Sequence, residues 1–448
     1  MKRAFVGWTL LLLCYAGSRG YDLGRLPVYN DEAIFVRFTE RTAQGDLFVT
    51  YPADPKDKPL LFWICALATP WFEDHLLLLR AFSALAGGIT LIGIFFAARR
   101  YLASRQGPWI AAGLYLILPY ALFYNRLGLY ESLVAAFGVW LLFLGGACFT
   151  GARGSVGKIV GFGALLGLSL LTKSYAFFFL LLPPALILCH GGWGGVVPGF
   201  RYHLRGLCLC YAIAALFLVG GYLVPMGLQT GSFTGALGGG YYRQRLFDLS
   251  PLLGNLRDVA EIWRVLFTPS TLLLFAAYLV ATLRGRARGG VLLLFVAGPT
   301  LLSILLGLSV MPRYLFVTVP FVVIAATIGL EALWRWWSES RLLRGLLLLL
   351  LLLPLGEDAL LLFRFEAAPM PAQMRLHYIE GWPSGYGVRE TLAFLDREGE
   401  KRDFDLFTTP ILGIMHDPVA SRFDRDPRIR VHLAPWYRKQ PLLPPVPG

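Results

Sequence analysis

The feature that most restricts the fold is a series of apolar segments separated by short basic loops. About eleven such segments follow one another in the first 363 residues, beginning directly after Lys2 and Arg3. Only 15% of the residues are charged and 56% are hydrophobic, whereas soluble globular proteins carry about 25% charged residues. Because a soluble core cannot hold that much apolar surface, the sequence predicts an all-α polytopic membrane protein.

The apolar segments define the predicted transmembrane helices. We predict spans over residues 4–16, 80–98, 109–123, 132–149, 159–171, 175–189, 207–224, 271–283, 291–310, 314–330 and 346–362. The first run is also compatible with a cleaved signal peptide, since it is short and follows two basic residues. The run 60–72 is too short to span comfortably and is more typical of an interfacial or re-entrant segment.

The charges are distributed unequally between alternate loops. With the N-terminus inside, every inner loop is basic, and the outer segments hold most of the carboxylates. This asymmetry follows the positive-inside rule and explains the net charge of +13 without a nucleic-acid partner. We therefore predict a multi-pass protein of the plasma (inner) membrane with a cytoplasmic N-terminus.

Three outer segments are long enough to carry function. The first is the loop 20–59, and the second is the loop 225–270, in which residues 253–267 have the pattern of an amphipathic helix. The third, 364–448, contains a helical pattern (388–397), two strand patterns (404–409 and 430–433) and a Pro-rich end. We predict a transmembrane domain over 1–363 and a small extracytoplasmic α/β domain over 364–448.

The first outer loop begins with the adjacent carboxylates Asp31 and Glu32, just before an amphipathic helix predicted over 33–43. One interpretation is structural: Asn30 caps this helix and the two acids favour its positive end. The other is that Asp31 acts as a general base on an incoming hydroxyl. The residues alone leave both interpretations open.

Four cations fall on the predicted outer side, where the positive-inside rule does not account for them. They are Lys58, Arg126, Lys173 and Arg313. Lys58 sits where the polar loop enters an apolar aromatic run, so it either snorkels to the interface or meets a lipid phosphate. The other three lie in short turns and either mark span ends or bind an anion, and Arg126 has the further alternative of pairing with Glu131.

Other chemistries have little support in the sequence. The six His residues show no metal-ligand spacing, and neither a Gly-rich phosphate loop nor a Ser-His-Asp signature is present. The six Cys residues lie mostly in apolar runs without a disulfide or metal pattern. The sequence predicts no cofactor with certainty, although the carboxylates leave a divalent metal open.

The order of these motifs resembles the GT-C membrane glycosyltransferases. The closest branch is the superfamily of protein O-mannosyltransferases, lipid A aminoarabinose transferases and lipopolysaccharide galacturonosyltransferases. Five motifs carry the resemblance over roughly residues 5–330: Asn30-Asp31-Glu32, Lys58-Pro59, the segment from Arg126 to Glu131, Leu171-Thr172-Lys173, and Arg313-Tyr314 followed by Pro320.

The resemblance implies a reaction and a set of site residues. Such enzymes transfer a sugar from a polyprenyl phosphate to a hydroxyl of a lipid, glycan or protein on the outer face, with inversion. The family's first-loop acid corresponds to Asp31, its second-loop acid to Glu131 (where many relatives carry Asp), and its phosphate-binding lysine to Lys58. Arg126, Lys173 and Arg313 are implied as further phosphate contacts, and Glu32, Asp57 and Tyr314 as supporting residues.

The main competing hypothesis is a transporter or lipid flippase. That class often has internal repeats and charged residues in broken helices near the middle of the membrane. This sequence shows no clear repeat, and its unusual charges cluster in outer loops. A second alternative is a membrane protein without catalytic activity, whose outer domain binds a partner. The sequence therefore favours a transferase.

Overall fold

The computed structural model describes residues 2–48, 58–151, 154–191, 196–230, 250–285, 289–307, 309–409, 416–424 and 426–434. The chain in these ranges is mostly helical. It divides into two compact units, one formed by 1–23, 48–61 and 80–371 and the other by 24–47, 62–79 and 372–448. The boundary predicted at 363/364 stays a prediction.

The α-helices of the first unit include most of the apolar segments. Their bounds are Lys2–Gly20, Leu60–Ala68, His75–Ala98, Gly107–Leu116, Pro119–Tyr124, Glu131–Phe149, Val156–Leu170, Leu182–Gly191, Val196–Ala215, Val224–Thr230, Leu252–Leu266, Thr268–Leu283, Gly290–Leu306, Pro312–Leu315, Val319–Trp336, Arg341–Leu352 and Pro354–Phe363. Tighter 3₁₀ turns of this unit cover Ser174–Leu181, Phe316–Thr318 and Phe365–Ala367, and a π-helix covers Leu216–Leu223, whereas the 3₁₀ turn Thr69–Trp71 lies in the second unit. The helices Leu60–Ala68 and His75–Ala98 continue from one unit into the other.

Several of these helices are long and apolar enough to cross a membrane. Among the described residues there are five: His75–Ala98, Glu131–Phe149, Val197–Gln229, Pro312–Trp336 and Arg341–Phe363. A sixth arises if Leu252–Leu266 and Thr268–Leu283, which meet at a bend of 107°, count as one broken span. These helices confirm a multi-pass membrane protein, while the predicted number of about eleven spans stays a prediction.

The differences from the predicted spans have local causes. The segment predicted as one span over 109–123 is two helices, because Pro119 lacks the N–H that would continue the helix from Gly107–Leu116. The segments predicted over 159–171, 175–189 and 291–310 form shorter apolar helices of 10–17 residues. The amphipathic helix predicted over 253–267 is confirmed as Leu252–Leu266.

The Pro312–Trp336 helix lies at the centre of the core of the first unit. In its apolar stretch of 18 residues, 94% is buried. Its last three turns pack against Thr268–Leu283, where Leu274, Ala277, Leu330 and Leu333 form one buried cluster. The helices approach closely because Gly329 has no side chain, and a β-carbon there would clash with the carbonyl group of Leu274.

The second unit is a small helical and β-structured body. It contains Asn30–Ala43, Ala372–Arg375, Val388–Gly399 and His416–Phe423, the short turns Leu376–Glu380 and Trp382–Ser384, and the strands Phe404–Thr408 and Ile429–Leu433. The two strands pair in parallel, with Phe404 opposite Ile429 and Thr408 opposite Leu433. Both strand predictions are confirmed, and the Pro-rich end lies outside the described residues.

The strands and helices of the second unit share one apolar core. Leu395, Val419, Phe423 and Ile429 are its buried members. On the strands, the carboxylate of Asp405 accepts two hydrogen bonds from Arg430, both 2.9 Å long, and lies 2.7 Å from Nε2 of His432. These partners, Arg430 above all, hold the pKa of the exposed Asp405 well below its usual value.

A turn at Gly385 packs closely against another segment of the second unit. Replacing this glycine therefore tests the packing. Gly385 has φ +78°, and a β-carbon there would clash with the carbonyl group of Val28. We expect Gly385→Ala to lower the free energy of unfolding by at least about 2 kcal/mol, from left-handed strain plus the clash. Chemical unfolding of the full chain in detergent measures the change.

Gly387→Ala is the matched control for that variant. Gly387 has φ +88°, but a β-carbon placed there would have no heavy atom of the described residues within 4 Å apart from its chain neighbours. It therefore isolates the backbone strain, about 1–2 kcal/mol for an ordinary residue in this conformation. Equal losses in the two variants would contradict the close contact between the Gly385 turn and Val28.

Candidate active site

Lys58 lies where the chain enters the Leu60–Ala68 helix, and its side chain is 1% exposed. Its Nζ atom is 4.3 Å from the centroid of the Tyr222 ring. Its carbonyl oxygen accepts a hydrogen bond of 3.0 Å from the hydroxyl of Tyr130. A buried ammonium facing an aromatic ring gains about 2 kcal/mol from this attraction, so Lys58 is held in place from two sides.

The Tyr222 ring is brought to Lys58 by an irregular helix. The long helix Val197–Gln229 contains the π-helical stretch Leu216–Leu223. A π-turn has an i→i+5 hydrogen-bond pattern and shifts the side chains that follow it around the helix, and such turns are frequent at functional sites. Tyr222, in the last turn of this stretch, is 1% exposed. The sequence analysis missed this residue, because nothing in its spacing distinguishes it from other apolar positions.

Lys173 lies in the turn after the Val156–Leu170 helix, and this turn contacts the segment that contains Lys58. The turn is fixed to the Lys58 segment, because the N–H of Leu60 donates a hydrogen bond of 3.1 Å to the carbonyl of Leu171. The half-buried Lys173 has an extended backbone, with φ −151° and ψ 153°. Its Nζ atom lies 4.7 Å from the centroid of the Tyr130 ring. Tyr130 therefore contacts both predicted lysines.

Glu131 directly follows Tyr130 and begins the Glu131–Phe149 helix, with 3% of its surface exposed. A carboxylate at this position is favoured by the positive end of the helix. The buried hydroxyl of Tyr175, two residues after Lys173, lies within electrostatic range of both Glu131 and Arg313. Tyr130, next to Glu131 in the chain, contacts both lysines, and Tyr175, two residues after Lys173, links Glu131 electrostatically to Arg313. We refer to Lys58, Glu131, Lys173 and Arg313 as the cationic group.

Arg313 lies in the first turn of the helix that begins at Pro312. Its guanidinium carbon is 5.4 Å from the ring centroid of Tyr314, the predicted supporting residue. The buried hydroxyl of Tyr120 donates a hydrogen bond to the carbonyl of Pro312 and so anchors this turn. Tyr120 and Tyr175 were not predicted from the sequence, although both occur close to predicted motifs.

Arg126 has contacts of a different kind. Its Nη2 atom donates hydrogen bonds to the backbone carbonyls of Tyr21, at 2.6 Å, and Asp22, at 3.2 Å. The neighbouring carbonyl of Leu23 accepts from the buried Arg80, at 2.9 Å. Asp22 has φ +43°, a conformation that L-residues rarely adopt. These contacts assign Arg126 a structural function at the end of the Lys2–Gly20 helix, and its phosphate contact stays a prediction.

Asp31 and Glu32 belong to the second unit, in the first turn of the Asn30–Ala43 helix. The prediction that Asn30 caps this helix is wrong, because the helix already includes Asn30 and its N-cap is Tyr29. The fully buried Glu32 instead accepts a hydrogen bond of 3.2 Å from the backbone N–H of Tyr29. Glu32 therefore has the capping function, and Asp31 is not needed for it.

Metal binding has no support in the described part of the chain. Nowhere in it do three or more His, Cys, Asp or Glu side chains come together in a way that could hold a metal ion. The predicted supporting residue Asp57 and the Gly-rich part of the second outer loop lie outside the described residues.

The fold and this group of residues define a multi-pass membrane protein with cations and one carboxylate gathered at helix ends. Residues 54–219 match the family model described as dolichyl-phosphate-mannose-protein mannosyltransferase. A search of curated proteins finds no match.

Two solved structures show which fold this is. ArnT from Cupriavidus metallidurans bound to undecaprenyl phosphate is 16% identical with a TM-score of 0.59, over 96% of this chain and 89% of that chain. The oligosaccharyltransferase of Archaeoglobus fulgidus, tethered with an acceptor peptide, is 13% identical with a TM-score of 0.56, over 97% and 64%. The chain spans 61% of the chain of ArnT in the apo state, at 18% identity. The family match and the fold confirm the predicted resemblance to GT-C glycosyltransferases.

Proposed function

We propose that this protein is an integral-membrane glycosyltransferase that moves a sugar from a polyprenyl-phosphate donor to a hydroxyl group, with inversion. The observation that carries the proposal is the group formed by Lys58, Lys173, Arg313 and Glu131 at helix ends of the first unit. These three cations and one carboxylate carry a net positive charge, which suits a phosphate at the surface of a membrane.

The cations stabilise the phosphate that leaves as the sugar is transferred. As the bond between the sugar and the phosphate breaks, the phosphate oxygen takes on negative charge, and fixed cations stabilise that charge more than they stabilise the intact donor. Lys58 is the principal candidate, because its ammonium is buried and is held beside the Tyr222 ring. Lys173 and Arg313 add positive charge, and Arg126 is a further phosphate contact by family resemblance.

One of the two carboxylates, Asp31, serves the acceptor. The acceptor oxygen forms a bond to the anomeric carbon, the bond from that carbon to the phosphate oxygen breaks with its electron pair, and the hydroxyl proton passes to Asp31 as general base. The role of Asp31 comes from its motif and its correspondence to the family's first-loop acid. Glu131 corresponds to the second-loop acid and helps to orient the donor.

The named ligands of the similar structures support a lipid-linked donor. One ArnT structure contains undecaprenyl phosphate, and one archaeal oligosaccharyltransferase structure contains dolichol phosphate with an inhibitory peptide. We propose that this chain likewise takes a polyprenyl-phosphate sugar. The acceptor is a lipid, a glycan or a protein on the outer face of the plasma (inner) membrane, with the N-terminus of the chain in the cytoplasm.

A donor panel tests the proposed activity. We expect the purified protein in liposomes to consume one of a set of polyprenyl-phosphate sugars when envelope lipids, glycans and proteins are supplied as acceptors. Mass spectrometry should show free polyprenyl phosphate and a sugar-modified acceptor in equal amounts. Movement of an intact lipid across the bilayer without loss of its sugar would contradict the transferase and favour the transporter.

A further inference from the structure

A second candidate site lies far from the cationic group described above. An apolar groove of about 390 Å³ opens in the first unit, lined by seven leucines and Trp337. It runs along the Arg341–Leu352 helix, from Trp337 and Leu343 at one end to Leu273 and Leu353 at the other. A helix of this length rises about 18 Å, so the groove is long enough to hold part of one acyl chain.

The end of the groove near Trp337 has a basic rim. Arg344 donates a hydrogen bond of 3.1 Å from Nε to the carbonyl of Trp337, and its guanidinium carbon lies 5.3 Å from the ring centroid of Trp334. Arg341 is exposed at the start of the same helix. Arg284 lies 5.7 Å from the ring centroid of Trp336. Tryptophan and arginine side chains at one level are typical of the membrane–water interface.

The charges at this rim are not balanced by acids. Among the described residues, no ion pair joins Arg284, Arg341 or Arg344 to a carboxylate. Glu331 already accepts hydrogen bonds from the backbone N–H groups of Ala103 and Ser104. Glu339, exposed in the turn before the Arg341–Leu352 helix, is one carboxylate against these three arginines. The rim is therefore net positive.

This rim and the proposed donor site lie at opposite ends of one helix. The Pro312–Trp336 helix has 25 residues and rises about 37 Å, with Arg313 in its first turn and Trp336 at its end. A lipid phosphate at the rim is therefore a different molecule from a donor bound near Arg313. By the positive-inside rule the rim lies on the cytoplasmic face, where anionic lipids attract basic segments.

We propose that the groove binds one anionic phospholipid, with an acyl chain along the leucines and the phosphate on Arg341 and Arg344. The apolar lining provides affinity for the chain, and the unbalanced arginines select a negative headgroup over a zwitterionic one. Binding at this site does not depend on the proposed transferase activity, so the two proposals succeed or fail separately.

Native mass spectrometry of the full chain tests the proposal. The protein is released from detergent after incubation with phosphatidylglycerol or with phosphatidylcholine of the same acyl chains. We expect one phosphatidylglycerol to stay bound under conditions that remove phosphatidylcholine. The double variant Arg341→Gln/Arg344→Gln should bind phosphatidylglycerol roughly 30-fold more weakly, since each of the two basic residues near an anionic headgroup contributes about 1 kcal/mol.

Matched variants separate the groove from general lipid adhesion. Leu350→Trp fills the groove and should remove the bound lipid without changing the charge. Arg201→Gln/Arg205→Gln removes two exposed arginines from another predicted inner segment and should leave binding unchanged. Equal retention of both lipids, equal effects of the two double variants, or a lipid-free dimer that covers the groove would each overturn the proposal.

Discussion

Replacing Lys58 by glutamine is expected to lower donor turnover by about 10²–10³-fold, the effect of removing one fixed electrostatic contact to a developing negative charge. Lys58 is the most deeply buried of the predicted cations, and Tyr222 and Tyr130 hold it in place. The loss should appear mainly in kcat, because the charge on the phosphate grows as the bond breaks. Turnover is measured as polyprenyl phosphate released in liposomes.

Two further variants serve as controls for the turnover of Lys58→Gln. Lys58→Arg keeps a positive charge that also suits the Tyr222 ring, so it should retain more activity than Lys58→Gln. Lys158→Gln removes an exposed lysine from the Val156–Leu170 helix and should leave turnover unchanged. If Lys58→Gln keeps full turnover and wild-type thermal stability, Lys58 is a snorkelling residue and does not bind the donor phosphate.

Asp31→Asn is expected to lower turnover by about 10²–10⁴-fold, because a neutral amide cannot accept the proton of the acceptor hydroxyl. Asparagine has nearly the same shape, and Glu32, rather than Asp31, accepts the capping hydrogen bond from Tyr29. Removing one carboxylate from the first helical turn should cost only about 0.3–1 kcal/mol of stability. Turnover and thermal unfolding are therefore measured on the same preparation.

The control for Asp31 is Asp46→Asn in the same outer loop. Asp46 pairs with Arg41 at 2.5 Å on a partly exposed surface, and such pairs contribute little to stability. This variant should retain wild-type turnover. An Asp31→Asn protein with wild-type turnover would show that Asp31 only favours the helix end, and the general base would then have to be another group.

Much of the site was recognisable from the sequence, because its charges stand out in an apolar chain. Lys58, Lys173 and Arg313 stand out because the positive-inside rule does not account for cations on the outer side, and Glu131 stands out through its motif in an otherwise apolar segment. The structure brings these four together through Tyr130 and Tyr175. Neither tyrosine was selected, since a tyrosine at the end of an apolar segment is common at membrane interfaces.

Other parts of the sequence interpretation needed the structure for correction. Apolar composition alone does not distinguish a straight span from a broken one, so the segment 109–123 was predicted as one helix although it divides at Pro119. Nothing in the sequence indicated that Arg126 donates hydrogen bonds to the carbonyls of Tyr21 and Asp22, and its phosphate contact stays a prediction. Which backbone groups a buried arginine meets depends on chain segments distant in sequence.

The sequence by itself determined the membrane class, the loop asymmetry, the two strands of the second unit and the motifs of the GT-C resemblance. These depend on composition and local pattern, which act through the solvent and the local backbone. Only the tertiary structure decided that Tyr222 faces Lys58, that Tyr130 contacts both lysines, and that a leucine groove ends at Arg344. The contacts of the two tyrosines, and the meeting of Leu273 with the leucines of the Arg341–Leu352 helix, join segments far apart in the chain and depend on how whole helices pack.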